Sequence, residues 1–380
     1  MKLNLIFDLS TTQPIGTTKR HGGGIYGEIV FKKLVDLEYE FVCLYNSSLW
    51  LNPEIEKICH ENRLVMLDIS ELDDFVNTHS DYTVYCPVDT VLTTKVKALG
   101  TIHGLRRLEM PNDFFQLKYK NKPKEFLLFF PRVIFSALWK RWQILKVRRL
   151  IETPNFHFAT VSNHSKYTFL NYFPQLESAQ IPVFYSPSTI KNEAVDDYKT
   201  EQPYFLLVSG NRWEKNNLRA LIALDDLFST HKELDGYSVI LAGVNSLHQY
   251  KWKFNNPKRF QCLGYVEDKT LRSLYKSAYA LIYPSLNEGF GYPPVEAMSF
   301  GTPVLSSTFT SITEVCGGAS LYFNPFDIDE IKNRILMSLN SVIYKSKKEE
   351  SLLRYKFIKD KQDQDLLNMC NWIVNQVQHG

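Results

Sequence analysis

The chain has 380 residues, 44% of them hydrophobic, with 44 Lys and Arg against 41 Asp and Glu for a net charge of +3. That length accommodates two α/β domains, each with its own core, and with no run of eighteen apolar residues no membrane-spanning helix is expected. Cysteines 43, 59, 86, 262, 316 and 370 form no C-x-x-C pair, so neither a disulfide framework nor a zinc site is expected, and reduced buried thiols of a cytoplasmic protein are the default.

The N-terminus turns acidic too soon, at Asp8, for a secretory signal peptide, and residues 3–7 read as a buried strand. Next, Gly22-Gly23-Gly24-Ile25-Tyr26-Gly27 satisfies G-x-G-x-x-G. In a dinucleotide site the first glycine follows its strand almost at once and an acid ends the next strand. Here about fourteen residues separate Phe7 from Gly22, and the strand predicted at 41–45 is followed by Asn46. Both tests fail, which disfavours a nicotinamide oxidoreductase. Further strands are predicted at 82–86, 98–102 and 156–161. His103 stands at the end of one of them, where an imidazole can donate to a sugar hydroxyl or orient an acceptor.

Segment 114–150 departs from its surroundings, with ten Lys or Arg against Glu125 as its one acid, and nine aromatics. Because the whole chain is only +3, the rest is acidic on balance. Ile134, Phe135, Leu138, Trp142 and Leu145 fall on one helical face. A helix with basic flanks and Trp on its apolar side suits an anionic membrane interface. An ordinary solvated face is the competing reading, and no nucleic-acid motif accompanies the charge.

Residues 192–203 are polar and aperiodic and form the best linker. Beyond it, strands are predicted at 204–208, 237–242, 279–283 and 303–306. Alternating strands and helices with continuous apolar strands imply parallel sheets covered on both faces. After the first of these strands come Ser209-Gly210-Asn211-Arg212-Trp213-Glu214-Lys215-Asn216. Arg212 as a fork and Lys215 as a point charge suit a pyrophosphate. After 279–283 come Asn287-Glu288-Gly289-Phe290-Gly291-Tyr292-Pro293-Pro294-Val295-Glu296. The prolines suit the first turn of a helix, whose open N–H groups favour an anion. Two carboxylates beside such a turn fit a ligand both anionic and rich in hydroxyls. Asp327-Ile328-Asp329 has the D-x-D form of a metal motif but is expected to cap a helix. Leu366, Leu367, Cys370, Ile373, Val374 and Val377 form the stripe of a last helix.

The pair Glu288 and Glu296 around a Gly-rich turn resembles the signature of the family-four retaining glycosyltransferases. Gly22 to Gly24, Thr101-Ile102-His103-Gly104, Val161-Ser162-Asn163, 209–216, Gly264-Tyr265-Val266 with 271–275, and Ser311-Ile312-Thr313-Glu314-Val315 resemble the same family in the same order. Many members carry Asp after the His, where this chain has Gly104. The resemblance implies the GT-B fold, an α/β architecture of two Rossmann-like domains facing a central cleft. The expected division is 1–191 for an acceptor domain carrying 114–150, 203–355 for a nucleotide-sugar domain, and 356–380 for a helix crossing back.

By that resemblance Arg212 and Lys215 clamp the donor diphosphate, Glu288 meets donor-sugar hydroxyls and His103 completes the catalytic set. Gly23 and Gly24 lie in a loop over the donor phosphates and acceptor. Gly210, Asn216, Val266, Gly289, Phe290, Gly291, Tyr292 and Glu296 contact the donor, Glu296 at the ribose. The implied activity is metal-independent retaining transfer of a hexose-type sugar from a nucleotide-diphosphate sugar, with no cofactor. The implied acceptor is a saccharide on a polyprenyl pyrophosphate carrier in bacterial surface polysaccharide assembly, at the inner face of the cell membrane. A sugar-nucleotide epimerase or hydrolase of the same fold, and a noncatalytic nucleotide-sugar binder, remain alternatives.

Overall fold

The computed structural model describes residues 1–16, 21–120, 123–190 and 194–379. Lys122 of the basic segment and Asn192 and Glu193 of the expected linker lie outside the described residues. The chain forms two compact units, one of Met1–Leu105, Gln143–Thr189 and Asp360–Gly380, the other of Arg106–Trp142 and Ile190–Lys359.

The first unit holds strands β1 (Lys2–Asp8), β2 (Glu40–Tyr45), β3 (Val65–Asp68), β4 (Thr83–Cys86), β5 (Lys97–Ile102) and β6 (Phe156–Thr160) in the order β3-β2-β1-β4-β5-β6. The second holds β7 (Tyr204–Leu207), β8 (Ser238–Ala242), β9 (Phe260–Gly264), β10 (Ala280–Tyr283), β11 (Val304–Ser307) and β12 (Ser320–Phe323) in the order β12-β11-β10-β7-β8-β9. Every named strand pair is parallel. Both are the doubly wound arrangement, in which strand order reverses beside the first strand and opens a crevice at the strands' C-terminal ends.

β7 shows why the sheet is apolar throughout. Successive side chains point to opposite faces of a strand. Phe205 and Leu207 enter one core layer with Leu221 and Ile331, while Tyr204 and Leu206 enter the other with Leu274 and Met298. Helices therefore cover both faces. In the first unit Phe7 is packed by Phe31, Phe41 and Tyr85, with ring centroids 5.2–6.0 Å away.

Two expectations change. The basic segment was placed with the first domain, but Arg106–Trp142 packs with the second unit. The reason is a set of buried contacts. Asp113 takes two hydrogen bonds from the Arg219 guanidinium, at 2.7 and 3.1 Å. The Phe115 ring lies 3.8 Å from that guanidinium, and the Tyr119 hydroxyl accepts from Leu218 N at 2.8 Å. Part of the aromatic content is thus core. Secondly, Gly22, Gly23 and Gly24 are not a loop. They form the first turn of the helix Gly22–Asp36, capped by His21, whose Nδ1 accepts from Gly24 N at 3.1 Å.

One helix, Ser341–Gln378, ends the described chain. Its last part packs in the first unit, where Gln362 donates to Ser186 O at 2.6 Å and Asp365 accepts from Tyr185 N at 2.9 Å.

Candidate active site

The second unit reverses its strand order between β7 and β10, and the loops leaving those two strands carry most of the residues singled out above. After β7, the Gly210 N–H donates to Ala242 O at 3.0 Å, and its carbonyl accepts the Tyr250 hydroxyl at 2.6 Å. A short 3-10 turn, Trp213–Lys215, follows and ends at Asn216, whose φ of 56° lies in the left-handed region that Asn tolerates. Asn216 is buried. Its Nδ2 donates to Pro325 O at 2.7 Å and its Oδ1 accepts from Arg219 at 2.9 Å. Its amide is thus used inside the fold, fastening the start of the helix Asn217–Thr230.

That turn delivers Lys215 to Glu288. The ammonium lies 2.5 Å from Glu288 Oε1 and donates to the Tyr283 hydroxyl at 2.8 Å. Tyr283 in turn donates to Glu288 Oε1 at 2.6 Å, and Ser285 does so at 2.5 Å. Both charged side chains are buried, 6% and 8% exposed. Burial alone would raise the Glu288 carboxyl. The Lys215 and Arg106 charges and the hydrogen bonds from Lys215 and Ser285 outweigh it and hold the group at about 2. Burial lowers Lys215, Glu288 opposes that, and the nearby Arg212 and Arg106 charges add to the lowering.

Arg212 sits differently. Its side chain is 42% exposed and binds Glu214 twice, Nε at 2.9 Å and Nη2 at 2.8 Å. Arg106 reaches the same carboxylate at 3.6 Å. Burial would raise Glu214, but these two guanidiniums pull it below the ordinary carboxylate range.

The turn after Glu288 is held from behind. Glu288 N donates to Thr310 Oγ1 at 2.9 Å, and Ser311 Oγ is within 3.0 Å of both the Glu288 and Phe290 carbonyls. Gly289 lies within this turn. Phe290 is buried and meets Tyr292 edge-on at 5.6 Å. Gly291 has a φ of 114°, where a side chain would be strained, and open space lies where its Cβ would be. The helix Tyr292–Met298 then brings Glu296, half-buried, against Tyr275, whose phenol burial and that carboxylate push up. Val266 follows β9 and packs on the core layer of Tyr204 and Leu274.

Residues 189–352 match the family model described as glycosyl transferases group 1. The matched stretch makes up most of the second unit. This domain agrees with the family-four resemblance carried by Glu288 and Glu296. The chain is 37% identical over 140 residues to O-antigen chain mannosyltransferase B of Escherichia coli, covering 36% of each chain. It is 31% identical over 232 residues to O-antigen chain mannosyltransferase RfbU of Salmonella typhimurium, covering 60% of this chain and 56% of that one. The match thus spans about a third to a half of those relatives. Sucrose-phosphate synthase from Thermosynechococcus elongatus superposes with a TM-score of 0.67 over 97% of this chain and 98% of its own at 13% identity, a likeness of fold. The α/β architecture of the whole chain is GT-B.

In the glycosyl transferase domain, Arg212, Lys215, Glu288 and Glu296 come from the loops and helix after β7 and β10. His103, Gly23 and Gly24 belong to the first unit. His103 Nε2 is 2.9 Å from Pro87 O, and the ring meets Tyr26 edge-on at 4.6 Å. A carbonyl only accepts, so Nε2 carries the proton and Nδ1 is the acceptor. Burial pushes this imidazole below its ordinary value. Asp327 caps the helix Ile328–Ser338 through the N–H groups of Asp329 and Glu330, and Asp329 pairs with Lys332 at 2.7 Å. Among the described residues no cluster of His, Cys, Asp and Glu could hold a metal ion.

Two residues escaped the sequence reading. Glu214 was read only as part of a motif, yet it orients Arg212. Tyr283 was read as core, yet its hydroxyl bridges Lys215 and Glu288. Its place as the last residue of β10, at the sheet's C-terminal edge, was the available signal.

Proposed function

We propose that the chain is a retaining, metal-independent glycosyltransferase using a nucleotide-diphosphate sugar, without a cofactor, in bacterial surface polysaccharide assembly. The observation that carries this reading is the buried Lys215–Tyr283–Glu288 group at the switch point of a glycosyl transferase domain. An ammonium has three N–H donors, and Tyr283 and Glu288 engage two of them. The third is available to a β-phosphate oxygen, with Arg212 from the same turn as a second cation. In transfer, the anomeric carbon–oxygen bond to the β-phosphate breaks and the acceptor hydroxyl forms the new bond. The acceptor's proton leaves with the departing phosphate. Negative charge grows on that phosphate, and fixed cations stabilise it more in the transition state than before it. Glu288 retains its second oxygen for sugar hydroxyls, and Glu296 is suited to the ribose. Two relatives bear the name O-antigen mannosyltransferase, which supports a hexose donor and a saccharide acceptor.

The acceptor is proposed to be lipid-linked and the enzyme peripheral on the inner membrane face. On the helices Pro123–Ile134 and Ser136–Ile151 and at Phe135 between them, Leu127, Ile134, Phe135, Leu138 and Trp142 are between 52% and 70% exposed. Lys140, Arg141, Lys146, Arg148 and Arg149 flank them and are exposed. Exposed apolar side chains among basic ones match an anionic bilayer surface. No helix of the described residues is long and apolar enough to cross a membrane.

The test is transfer from a panel of nucleotide-diphosphate hexoses to lipid-extracted acceptors, with the product anomer read by NMR. Transfer with retained configuration, surviving excess EDTA, is expected. Hydrolysis or epimerisation with no acceptor dependence would overturn the reading.

A further inference from the structure

A pocket of about 740 Å³ lies within the second unit, outside the Lys215–Glu288 group. Its size falls within the range of about 300–1,000 Å³ usual for small-molecule sites. Three tryptophans line it, Trp139, Trp142 and Trp213, together with the cations Arg106, Arg107 and Lys140. The Trp139 and Trp142 rings lie 5.1 Å apart and tilted by 38°, presenting apolar faces. Its two carboxylates are engaged. Glu214 accepts from Arg212, and Glu109 accepts from Asn287 Nδ2 at 3.2 Å. The wall is therefore aromatic and, on balance, cationic.

Those same two carboxylates place the pocket beside the donor loops. Glu214 precedes Lys215, and Asn287 precedes Glu288, so the pocket abuts both loops that carry the donor residues. Trp142 in its lining is 52% exposed, and on the same helix Leu138 and Leu145 are exposed.

We propose that this pocket is the acceptor site and that it takes a glycosyl diphosphate carried on a lipid. This rests on the glycosyltransferase reading above. The C–H faces of a pyranose stack on the indoles. The guanidinium forks of Arg106 and Arg107 and the Lys140 ammonium hold the diphosphate, a geometry guanidinium matches with paired N–H donors. The lipid chain leaves along the exposed apolar side chains of the helix Ser136–Ile151. The basic aromatic segment thereby does two things, reading the acceptor and meeting the membrane it is embedded in.

The experiment is calorimetric titration of the full chain with decyl diphosphoryl mannose, with decyl phosphocholine as the control amphiphile and a nucleoside diphosphate as the donor-side ligand. Saturable binding of the diphosphate probe is expected, with little affinity for phosphocholine. Trp139→Ala and the double variant Arg107→Gln, Lys140→Gln should each weaken it by about tenfold or more, as expected for lost stacking and charge-assisted hydrogen bonds. The probe should not displace the nucleoside diphosphate. Equal affinity for both amphiphiles, competition with the nucleotide, or unchanged binding in both variants would overturn the assignment. Loss of nucleoside diphosphate binding in the wild type is a different result, since it would remove the glycosyltransferase reading itself.

Discussion

Replacing Glu288 by Gln removes the counter-charge of a buried lysine while keeping the shape and one hydrogen-bonding oxygen. Two routes give the magnitude. A carboxyl moved from 4.5 to about 2 is stabilised by about 3 kcal/mol in its charged form. Breaking a buried pair by deleting one partner costs about 3–5 kcal/mol, because the other charge stays behind. Lys215 is only 6% exposed, so water cannot rescue it. Urea unfolding of Glu288→Gln should show a loss of about 3 kcal/mol at neutral pH, reduced if Lys215 releases its proton. The pH dependence carries a sign. Because the folded carboxyl is depressed, its contribution is present above about 4.5 and lost as pH falls toward about 2. The variant should lack this acid loss. Adding Lys215→Met should restore much of the stability without restoring transfer. A stability within about 0.5 kcal/mol of wild type, or strictly additive effects of the two substitutions, would refute the buried-pair reasoning.

Other consequences can be measured separately. Arg212→Ala should lower turnover by about a hundredfold with little change in unfolding free energy, since its side chain is 42% exposed; Glu214→Gln should lower turnover less, and near-normal rates in both would remove this pair from the chemistry. Gly27→Ala should destabilise by about 1–3 kcal/mol in urea, because a Cβ there would lie 2.8 Å from Pro87 Cγ and 2.9 Å from Thr12 Cγ2. His103 should titrate below 6.5 by NMR, its folded form being held down by burial, so that its neutral form costs stability as pH falls through 6.5; titration at or above that value contradicts the burial. Wild-type protein should co-sediment with anionic vesicles, less so in high salt, and replacing Lys140, Arg141, Lys146, Arg148 and Arg149 with Gln should weaken this by up to about 1 kcal/mol per charge; indifference of the wild type to anionic vesicles at low salt would sink the membrane proposal.

The strands legible in advance were mostly central ones. β1, β4, β7 and β10 are buried on both faces and appear as continuous apolar runs. The strands that went unread, β3, β9 and β12, all lie at sheet edges. At two of these edges Val65 and Gln261 point to water, and β12 opens on Ser320, which is buried and hydrogen-bonded to Ser306; each breaks the apolar run. The loop expected at Gly22 to Gly24 came from the family resemblance, and glycine also disfavours helix. The glycines are tolerated in a helical turn since His21 caps it and the Thr12 carbonyl lies 3.0 Å from where a Gly24 Cβ would be. Arg212, Lys215, Glu288 and Glu296 were visible because motif spacing fixes their loops. Tyr283 and Glu214 were not, because Tyr283 meets Lys215, and Glu214 meets Arg106, only after folding; Arg212 stands two residues from Glu214, but nothing in the motif marks the two as a pair. Composition marked 114–150 but could not divide it. Phe115 and Tyr119 pack on the second core, while Leu138 and Trp142 stay exposed.

The central claim is that the loops after β7 and β10 hold a nucleotide-diphosphate sugar. A crystal structure with a nonhydrolysable nucleotide-diphosphate hexose tests it most directly. The β-phosphate is expected within hydrogen-bonding distance of both Arg212 and Lys215, with the ribose hydroxyls on Glu296 and the sugar hydroxyls on Glu288. A diphosphate seated away from Arg212 and Lys215, or a ribose out of reach of Glu296, would contradict it.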